Sequence, residues 1–527
     1  MFKINTRHTQ SNIFGFTNMV SPKMVKELQA SEEQKFYELI FCNIKEEDFS
    51  CLYSEIDSRP NVPVNCLVSA ILLQHRQKLT YERLFDSIKF NLLTKTALGL
   101  QTLDEIPFSE ASLFNFQNKL NAYFINNGIN LLEKVFDQLT EQKLKELKIK
   151  TDIQRTDSFQ AASNIRRYSR LQLLVEMLIR IYRILSQADK KQYEELFSPY
   201  VKKTSGQFIY RLETEDIPSE LEKVGNVYKE INDKLKPKYT DVDIFKTFER
   251  VYLEHFTVVE EKIIIKTSEE LTSSCLQSPD DIDATYRKKN NKPFYGQVVN
   301  VVETCNPENP INLVTDVSVH ANNKDDSKEL NERIDTLKEK TPELNELHFD
   351  GAYGSQDNDV KLDEHTVTPI QTAIRGIEPG GVEITITQIS EDQYSVSCPN
   401  QSVKAELGRK RFKAEFDLRI CLSCVFASAC QLQKKKTARV YYFTAAEYLK
   451  KKRLLNIQKI PKGRRSLRTN VEATVSEFTR KMNNRKLKVR VYFKAAIFAF
   501  AVGISVNFGR IYRYLKAKEV EPVASTA

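Results

Sequence analysis

The chain has 527 residues, of which 41% are hydrophobic and 28% charged, which is the balance of a soluble globular protein. Its length predicts two to four domains rather than a single core. Residues 1–16 are polar, and the longest largely apolar run, residues 495–506, is shorter than the roughly twenty residues that cross a bilayer. Composition therefore disfavours an exported or membrane-spanning protein and predicts a cytoplasmic one with no membrane partner.

Positive charge is concentrated late in the chain. The net charge is +9, and residues 450–494 contain sixteen Lys or Arg against only Glu472 and Glu477. A segment this basic usually faces a polyanion, and nucleic acid is the first candidate. A solvated surface helix is the alternative interpretation.

Apolar periodicity divides the first half of the chain into helical regions around one short strand. Residues 61–148 repeat apolar side chains at helical spacing, as in Val64, Leu67, Val68 and Ile71, and predict an all-α domain for DNA binding or dimerisation. The other expected parts are an irregular lead-in over residues 1–60, a strand within 149–163 that ends at Asp157, and a helical insertion over 164–275.

The second half is predicted to be richer in strands. Residues 276–375 alternate β-rich segments with one charged helix and predict a mixed α/β sheet. The remaining parts are a small Cys-rich insertion over 376–440, a basic C-terminal helical region over 441–519 and a loose tail over 520–527.

Two aspartates are predicted to end short strands. Asp157 lies in RTDS and Asp350 in HFDGAYGS. Carboxylates at neighbouring strand ends offer Mg²⁺ hard oxygen ligands without enclosing the ion. An isolated Asp in such a place is more often a turn or cap residue. Asp283 and Asp316 are the alternatives to Asp157 as the first carboxylate of the pair.

The surroundings of these residues resemble a known family. Residues 61–120 contain NVPVNCLVSAILLQHRQKLTYERLF and PFSEASLFNFQNKL, which resemble the N-terminal domain of bacterial insertion-sequence transposases of the DDE type. RTDSFQAASNI, SPDDIDATYRKKNNKPFYGQVVNVVET, HFDGAYGS and RTNVEATVSEFTRKMNN resemble the catalytic region of that family, in the same order. The resemblance covers nearly all of residues 60–510.

This resemblance implies an RNase H-like catalytic core. It implies that Asp157, Asp350 and Glu472 hold two Mg²⁺ or Mn²⁺ ions, with Asp157 preferred to Asp283 because RTDS matches the family better. An ordinary surface glutamate is the alternative for Glu472. Four basic residues are expected to contact DNA: Arg468, Arg480, Lys481 and Arg485. Arg468 and Glu472 are four residues apart, which places them on one helix face.

Four cysteines cluster late in the chain. Cys398, Cys421, Cys424 and Cys430 have intervals of 22, 2 and 5 residues. Four thiolates that include a close pair are what tetrahedral Zn²⁺ requires, so a structural zinc site is predicted. Free buried thiols and redox use are the alternatives. The other five cysteines are scattered and predict no site.

The leading hypothesis is an active transposase that cuts and joins DNA at the element ends and the target, as a homodimer on DNA. One alternative is a derivative that keeps the fold and DNA binding but no longer cuts. Another is a metal-dependent nuclease that does not join strands.

Overall fold

The fold is that of a computed structural model, which describes residues 1–10, 12–56, 59–289, 291–372, 382–390, 393–408 and 410–524. These residues form a mixed α/β protein with one mixed six-stranded sheet, one antiparallel six-stranded sheet and one two-stranded hairpin. Helices cover the mixed sheet and build a separate bundle.

The chain begins with a group of helices that share one core. They are α1 (Pro22–Gln29), α2 (Glu32–Leu39), α3 (Val64–Gln77), α4 (Tyr81–Phe90), α5 (Leu92–Ala97), α6 (Glu110–Asn127) and α7 (Leu131–Glu146).

The expectation of an irregular lead-in over residues 1–60 is wrong. Ser21 and Ser31 cap α1 and α2 by accepting hydrogen bonds from the backbone N–H three residues later. Phe36, Phe41 and Phe49 are buried in the same core as α3. Short helices with few apolar residues give little periodicity, so these capping serines were the better signal.

The next part contains the first strand and a helical bundle with its own core. Its elements are β1 (Ile153–Ala162), α8 (Arg170–Ile184), α9 (Gln187–Gln192), α10 (Glu194–Val201), α11 (Ser205–Ile209), α12 (Ile217–Tyr239), α13 (Asp243–His255), β2 (Phe256–Val259) and β3 (Lys262–Ile265). Leu174, Tyr228 and Phe248 are fully buried at the centre of the bundle, where α8, α12 and α13 pack.

The chain then returns to the mixed sheet. The elements are β4 (Thr285–Lys289), β5 (Lys292–Thr304), β6 (Val314–Ala321), α14 (Asp326–Lys340), β7 (Glu346–Phe349), α15 (Gln356–Glu364) and β8 (Thr368–Gln371). Strands lie in the order β6–β5–β1–β7–β8, and β4 pairs with the start of β5. β1, β7 and β8 are parallel, whereas β5 is antiparallel to β1 and to β6.

Asp157 lies in the middle of β1, not at its end as the sequence predicts. β1 continues because it pairs with β5 residue by residue, from Gln154 opposite Thr304 to Ala162 opposite Gly296. The polar residues after Asp157 suggest a strand end, but a strand in an antiparallel pair can carry polar residues on one face.

A second sheet occupies most of the region predicted to be a small Cys-rich insertion. Its elements are β9 (Thr385–Ser390), β10 (Gln393–Cys398), β11 (Gln401–Leu407), β12 (Phe412–Asp417), α16 (Leu418–Leu422), β13 (Gln433–Lys434) and β14 (Ala438–Phe443). Val396, Phe416 and Phe443 are buried in a separate core, so this region is larger and more regular than expected.

Four helices complete the chain: α17 (Ala445–Lys459), α18 (Lys462–Thr469), α19 (Val471–Thr479) and α20 (Tyr492–Ala524). Among the described residues, α20 alone is long and apolar enough to cross a membrane, but 89% of its apolar window is buried within the protein. It packs against α3, α7 and β6. Because α20 runs to Ala524, part of the predicted loose tail is helical, and residues 525–527 lie outside the described residues.

Candidate active site

Three carboxylates from distant parts of the sequence meet around one guanidinium group. Arg468 Nη2 lies 2.9 Å from Asp157 Oδ2 and 3.8 Å from Asp350 Oδ2, and Arg468 Nη1 lies 3.5 Å from Glu472 Oε1. The structure thus brings together the three acidic residues predicted for catalysis, with a predicted DNA-contacting arginine between them.

The sheet register sets the position of the two aspartates. Arg155 of β1 pairs with His348 of the parallel strand β7. Two residues further along each strand, Asp157 and Asp350 therefore lie side by side. Asp350 directly follows Phe349, the last residue of β7, as the sequence predicts.

The other two side chains come from consecutive helices. Arg468 lies in the last turn of α18 and Glu472 in the first turn of α19. Asn470, between them, keeps helical dihedral angles (φ −67°, ψ −15°), so the spacing of four residues still points both side chains the same way.

Asp157 is the most buried carboxylate of the three, with 15% of its side chain exposed. Burial raises the pKa of Asp157, and the negative charges of Asp350 and Glu472 raise it further. Arg468 and the backbone N–H of Ser158, which donates to Asp157 Oδ1 over 2.8 Å, offset only part of this effect. The positive charge of Arg468 therefore does not fully offset the burial of Asp157 and the two neighbouring negative charges.

The site opens to solvent on the side of α19. Glu472 is 64% exposed, whereas Arg468 is 17% exposed. The Arg468 Nε has no hydrogen-bond partner among the described residues. Within the described part of the chain, no group of three or more His, Cys, Asp or Glu side chains is positioned to hold a metal ion. This finding covers the carboxylates around Arg468 and the four clustered cysteines alike.

A buried ion-pair network fixes α18 and α19 to the sheet. Glu303 of β5 is fully buried, and it accepts hydrogen bonds from Arg155 Nε (2.7 Å), Arg510 Nη1 (2.6 Å) and Thr474 Oγ1 (2.7 Å). Arg155 also donates to the backbone oxygen of Leu467 over 2.6 Å.

This network acts on both sides of the site. Arg155 lies two residues before Asp157, Leu467 directly precedes Arg468, and Thr474 lies two residues after Glu472. No sequence pattern predicted a role in the site for these residues. One signal was available: Glu303 is the single charged residue in VVNVVET, a stretch with four valines.

The two rival aspartates lie outside the site. Asp316 is an ion-pair partner of Arg333 and of Lys340 Nζ (2.9 Å). Asp283 accepts a hydrogen bond from the backbone N–H of Tyr492, at the start of α20, over 2.9 Å. Neither contacts the carboxylates around Arg468.

The other three predicted DNA-contacting residues, Arg480, Lys481 and Arg485, differ in their exposure and contacts. Arg480 and Arg485 are exposed beyond α19. The backbone of Arg485 accepts from Ala162 N over 3.0 Å, which brings this segment alongside the end of β1. Lys481 Nζ instead donates to the Arg76 backbone oxygen over 2.6 Å, near the C-terminal end of α3, so Lys481 supports a helix end.

The four clustered cysteines line one small cavity in the second sheet. Cys398 ends β10, Cys421 lies in α16, and Cys424 and Cys430 lie in the loop that follows. Burial raises the pKa of the Cys421 thiol, while a 3.3 Å hydrogen bond from Gln401 lowers it. The structure thus brings the predicted cysteines together as free thiols.

Two family models match parts of this chain. A transposase DDE domain matches residues 393–512, which include Arg468, Glu472 and the four clustered cysteines. A transposase domain (DUF772) matches residues 26–119, from within α1 to within α6. No curated protein and no solved structure matches the chain.

Proposed function

We propose that this chain, an insertion-sequence DDE transposase on the support of its two family matches, cuts DNA at the ends of its element and joins those ends to target DNA. The observation that carries the proposal is the meeting of Asp157, Asp350 and Glu472 around Arg468. Carboxylates drawn from separate elements into one partly open site, with a perturbed pKa among them, are typical of catalysis.

The catalytic core is inferred to be RNase H-like. The strand order β6–β5–β1–β7–β8, with β5 antiparallel to its neighbours, supports this inference. So do the positions of the acidic residues, on the central strand, directly after its parallel neighbour, and on a helix late in the chain.

Divalent cations fit this set of side chains. Asp157, Asp350 and Glu472 offer the hard oxygen ligands that Mg²⁺ and Mn²⁺ prefer. The Arg468 guanidinium already places one positive charge between these three negative charges, where a metal ion would place more. Two bound Mg²⁺ or Mn²⁺ ions supply activation of the attacking oxygen and stabilisation of the leaving one.

The side chains have distinct roles in this proposal. Asp157 and Asp350 are fixed by the sheet and form the rigid part of the site. Glu472 is exposed on a helix, so it can rotate toward the substrate. Arg468 releases the carboxylates, and its guanidinium then binds a phosphate oxygen and offsets the charge that develops at phosphorus.

The test is an in vitro reaction with the purified protein. The substrate is duplex DNA that carries the sequences flanking the element, with a labelled 3′ end, plus a supercoiled target plasmid. The proposal expects strand cleavage and joined products with Mg²⁺ or Mn²⁺ and neither with EDTA. Absence of cleavage with intact DNA binding supports the inactive derivative instead, and cleavage without joining supports a nuclease.

A structural zinc site is proposed for the second sheet. Cys398, Cys421, Cys424 and Cys430 line one cavity, and four thiolates are a ligand set that Zn²⁺ binds in structural sites. Purified protein should contain about one Zn²⁺ per chain by elemental analysis. Metal-free protein with four reactive thiols would contradict the site and support free thiols.

DNA contact is assigned to the exposed cations beyond α19. Arg480 and Arg485 are exposed near the end of β1, where a duplex that reaches Asp157 can pass. The helices matched by the DUF772 family are proposed to recognise the element ends or to form a homodimer on DNA. The protein is proposed to act in the cytoplasm, where its DNA lies.

A further inference from the structure

We propose that the β4–β5 hairpin binds the phosphate backbone of duplex DNA about one helical turn from the phosphate that is cut. The inference rests on the proposed function and extends it to a surface outside the carboxylate site. This surface, the basic hairpin, consists of Arg287, Lys288, Lys289 and Lys292.

The basic hairpin has positive charge without internal compensation. Residues 285–296 contain these four cations and no acidic residue. Lys288, Lys289 and Lys292 are exposed, and among the described residues none of the three forms an ion pair with a carboxylate. Arg287 is the exception, 4.0 Å from Asp326. Uncompensated surface cations grouped on one element favour a polyanionic partner.

The base of the hairpin is held tightly against β1. Gly296 has a φ of +140°, and a Cβ at this position would lie 2.5 Å from the Ala161 backbone oxygen. Ser163 N donates to the Tyr295 backbone oxygen over 2.9 Å. The rings of Tyr286 and Tyr295 lie 5.4 Å apart across the two strands. The cations are therefore carried on a rigid arm rather than on a loose loop.

The length of the arm matches the repeat of DNA. Asp157 pairs with Val301 of β5, and Lys292 precedes Val301 by nine residues. At about 3.3 Å per residue, the tip lies roughly 30 Å from the cutting site along β5. One turn of B-DNA is about 34–36 Å long, so a duplex that follows β5 presents its backbone again near the tip.

Edge protection is the rival explanation. β4 pairs only with β5, and lysines on an edge strand prevent pairing with other chains. The two explanations differ in what the loss of charge does. DNA binding predicts weaker, less salt-dependent affinity, whereas edge protection predicts self-association with unchanged affinity.

The test uses the full-length protein with K288Q, K289Q and K292Q combined. Its affinity for duplex DNA carrying the element ends is measured across a salt series. The expected slope of log affinity against log salt is smaller by about 2 to 3, since each lost phosphate contact removes about 0.9. The matched control combines K191Q, K202Q and K203Q, three exposed lysines of the helical bundle that carry the same charge, and should keep the wild-type slope.

The second part of the test varies the length of the DNA. Duplexes extend either 6 or 14 base pairs beyond the cut phosphate on each flank in turn. At about 3.4 Å per base pair, 6 pairs cover roughly 20 Å and fall short of the hairpin, whereas 14 pairs pass it. Wild type and the hairpin variant should bind equally when the flank that follows β5 is short, and should differ when it is long.

Each outcome decides between the explanations. An unchanged slope, a difference that does not depend on flank length, or an equal loss in the control overturns the inference. Light scattering that reveals self-association with unchanged DNA affinity supports edge protection. If wild type binds and cuts DNA and the variant matches it, only the hairpin inference fails. If wild type binds no DNA, the proposed function fails with it.

Discussion

Two groups of carboxylates on the mixed sheet differ in how far nearby cations neutralise them. Asp316, on β6, lies with Glu133 and Asp137 around two cations, Arg333 and Lys340, and these five residues are called the Asp316 cluster. Burial by itself raises the pKa of Asp316, but the two cations lower it below the usual range.

The site on β1 has the opposite balance. Arg468 is the single cation between Asp157, Asp350 and Glu472, and the pKa of Asp157 remains raised by burial. A carboxylate that is fully paired contributes to stability, whereas one left short of positive charge costs stability and favours a further cation. Asp157 and Asp316 therefore differ in the direction of their pKa shifts, and the raised pKa of Asp157 supports its proposed role in catalysis.

The largest expected effect is on strand cleavage. Asp157→Asn, Asp350→Asn and Glu472→Gln should each reduce the cleavage rate at least about a thousandfold, or about 4 kcal/mol of activation free energy, because each removes a charge proposed to hold a metal ion. Gel-shift affinity for DNA should stay close to that of wild type.

Asp283→Asn is the matched control, since the Asp283 carboxylate lies outside the site and accepts a hydrogen bond from the backbone N–H of Tyr492 at the start of α20. It should leave the cleavage rate near wild type. If Asp283→Asn abolishes cleavage and Asp157→Asn does not, the carboxylate site has been assigned to the wrong strand.

The second prediction concerns the free energy of unfolding. Here we expect the substitution of Asp316 to have a larger effect than the substitution of Asp157. Asp316→Asn should lower it by about 3 kcal/mol or more, because Arg333 and Lys340 lose their shared buried partner. Asp157→Asn in metal-free buffer should leave it unchanged or raise it by up to about 1 kcal/mol, because repulsion among three carboxylates is relieved. Urea denaturation with EDTA measures both. Equal losses in the two variants would remove the distinction between the clusters.

A third, smaller effect depends on pH. Burial raises the pKa of Asp137 to about 6, with Lys340 offsetting part of the shift. The unfolded chain has the lower pKa, so the folded protein binds more protons between those values and gains stability as pH falls from 7 to 5. Asp137→Asn should remove this gain, which is about 1 kcal/mol once solvent screening is allowed for. A pH series of unfolding curves for both proteins tests it, and parallel curves would contradict the shift.

The smallest effects extend the comparison to cations. Arg480→Gln and Arg485→Gln should each reduce the salt slope of DNA binding by about 0.9, since both side chains are free to meet phosphate. Lys481→Gln should leave the slope unchanged and lower the unfolding free energy by about 0.5 to 1 kcal/mol, because Lys481 supports the end of α3. A reduced slope for Lys481→Gln would show that its partner is DNA rather than α3.

Sequence patterns predicted local features better than pairings. The end of β7 before Asp350 and the helical spacing of the apolar residues in α3 could be predicted because each depends on a few adjacent residues. The full length of β1 could not, since it depends on pairing with β5, more than a hundred residues later. The second sheet differs, because its strands pair with partners close in the sequence, and the turn residues and cysteines of this region led to the prediction of a small insertion instead.

The acidic residues of the candidate site could be predicted from the sequence, whereas the residues that hold them in place could not. Resemblance supplied Asp157, Asp350 and Glu472, whose placement together is now seen, although their catalytic role stays a prediction. The pairing of Arg155 with Glu303 requires knowledge of sheet register, and the position of Arg468 between the carboxylates requires the helix packing. Ion pairs across 148 or more residues have no local signal.

The position of α20 affects how the protein is made. Arg76 of α3 donates to the Ser505 backbone oxygen across 429 residues, and residues from 493 to 508 fill the core beside the N-terminal helices. Ribosomes add about 5 to 20 residues per second, so the N-terminal helices wait roughly 20 to 90 s for this partner. During that time their apolar faces are open on the nascent chain. The yield of folded protein therefore depends on chaperone capture during translation and should fall as growth temperature rises.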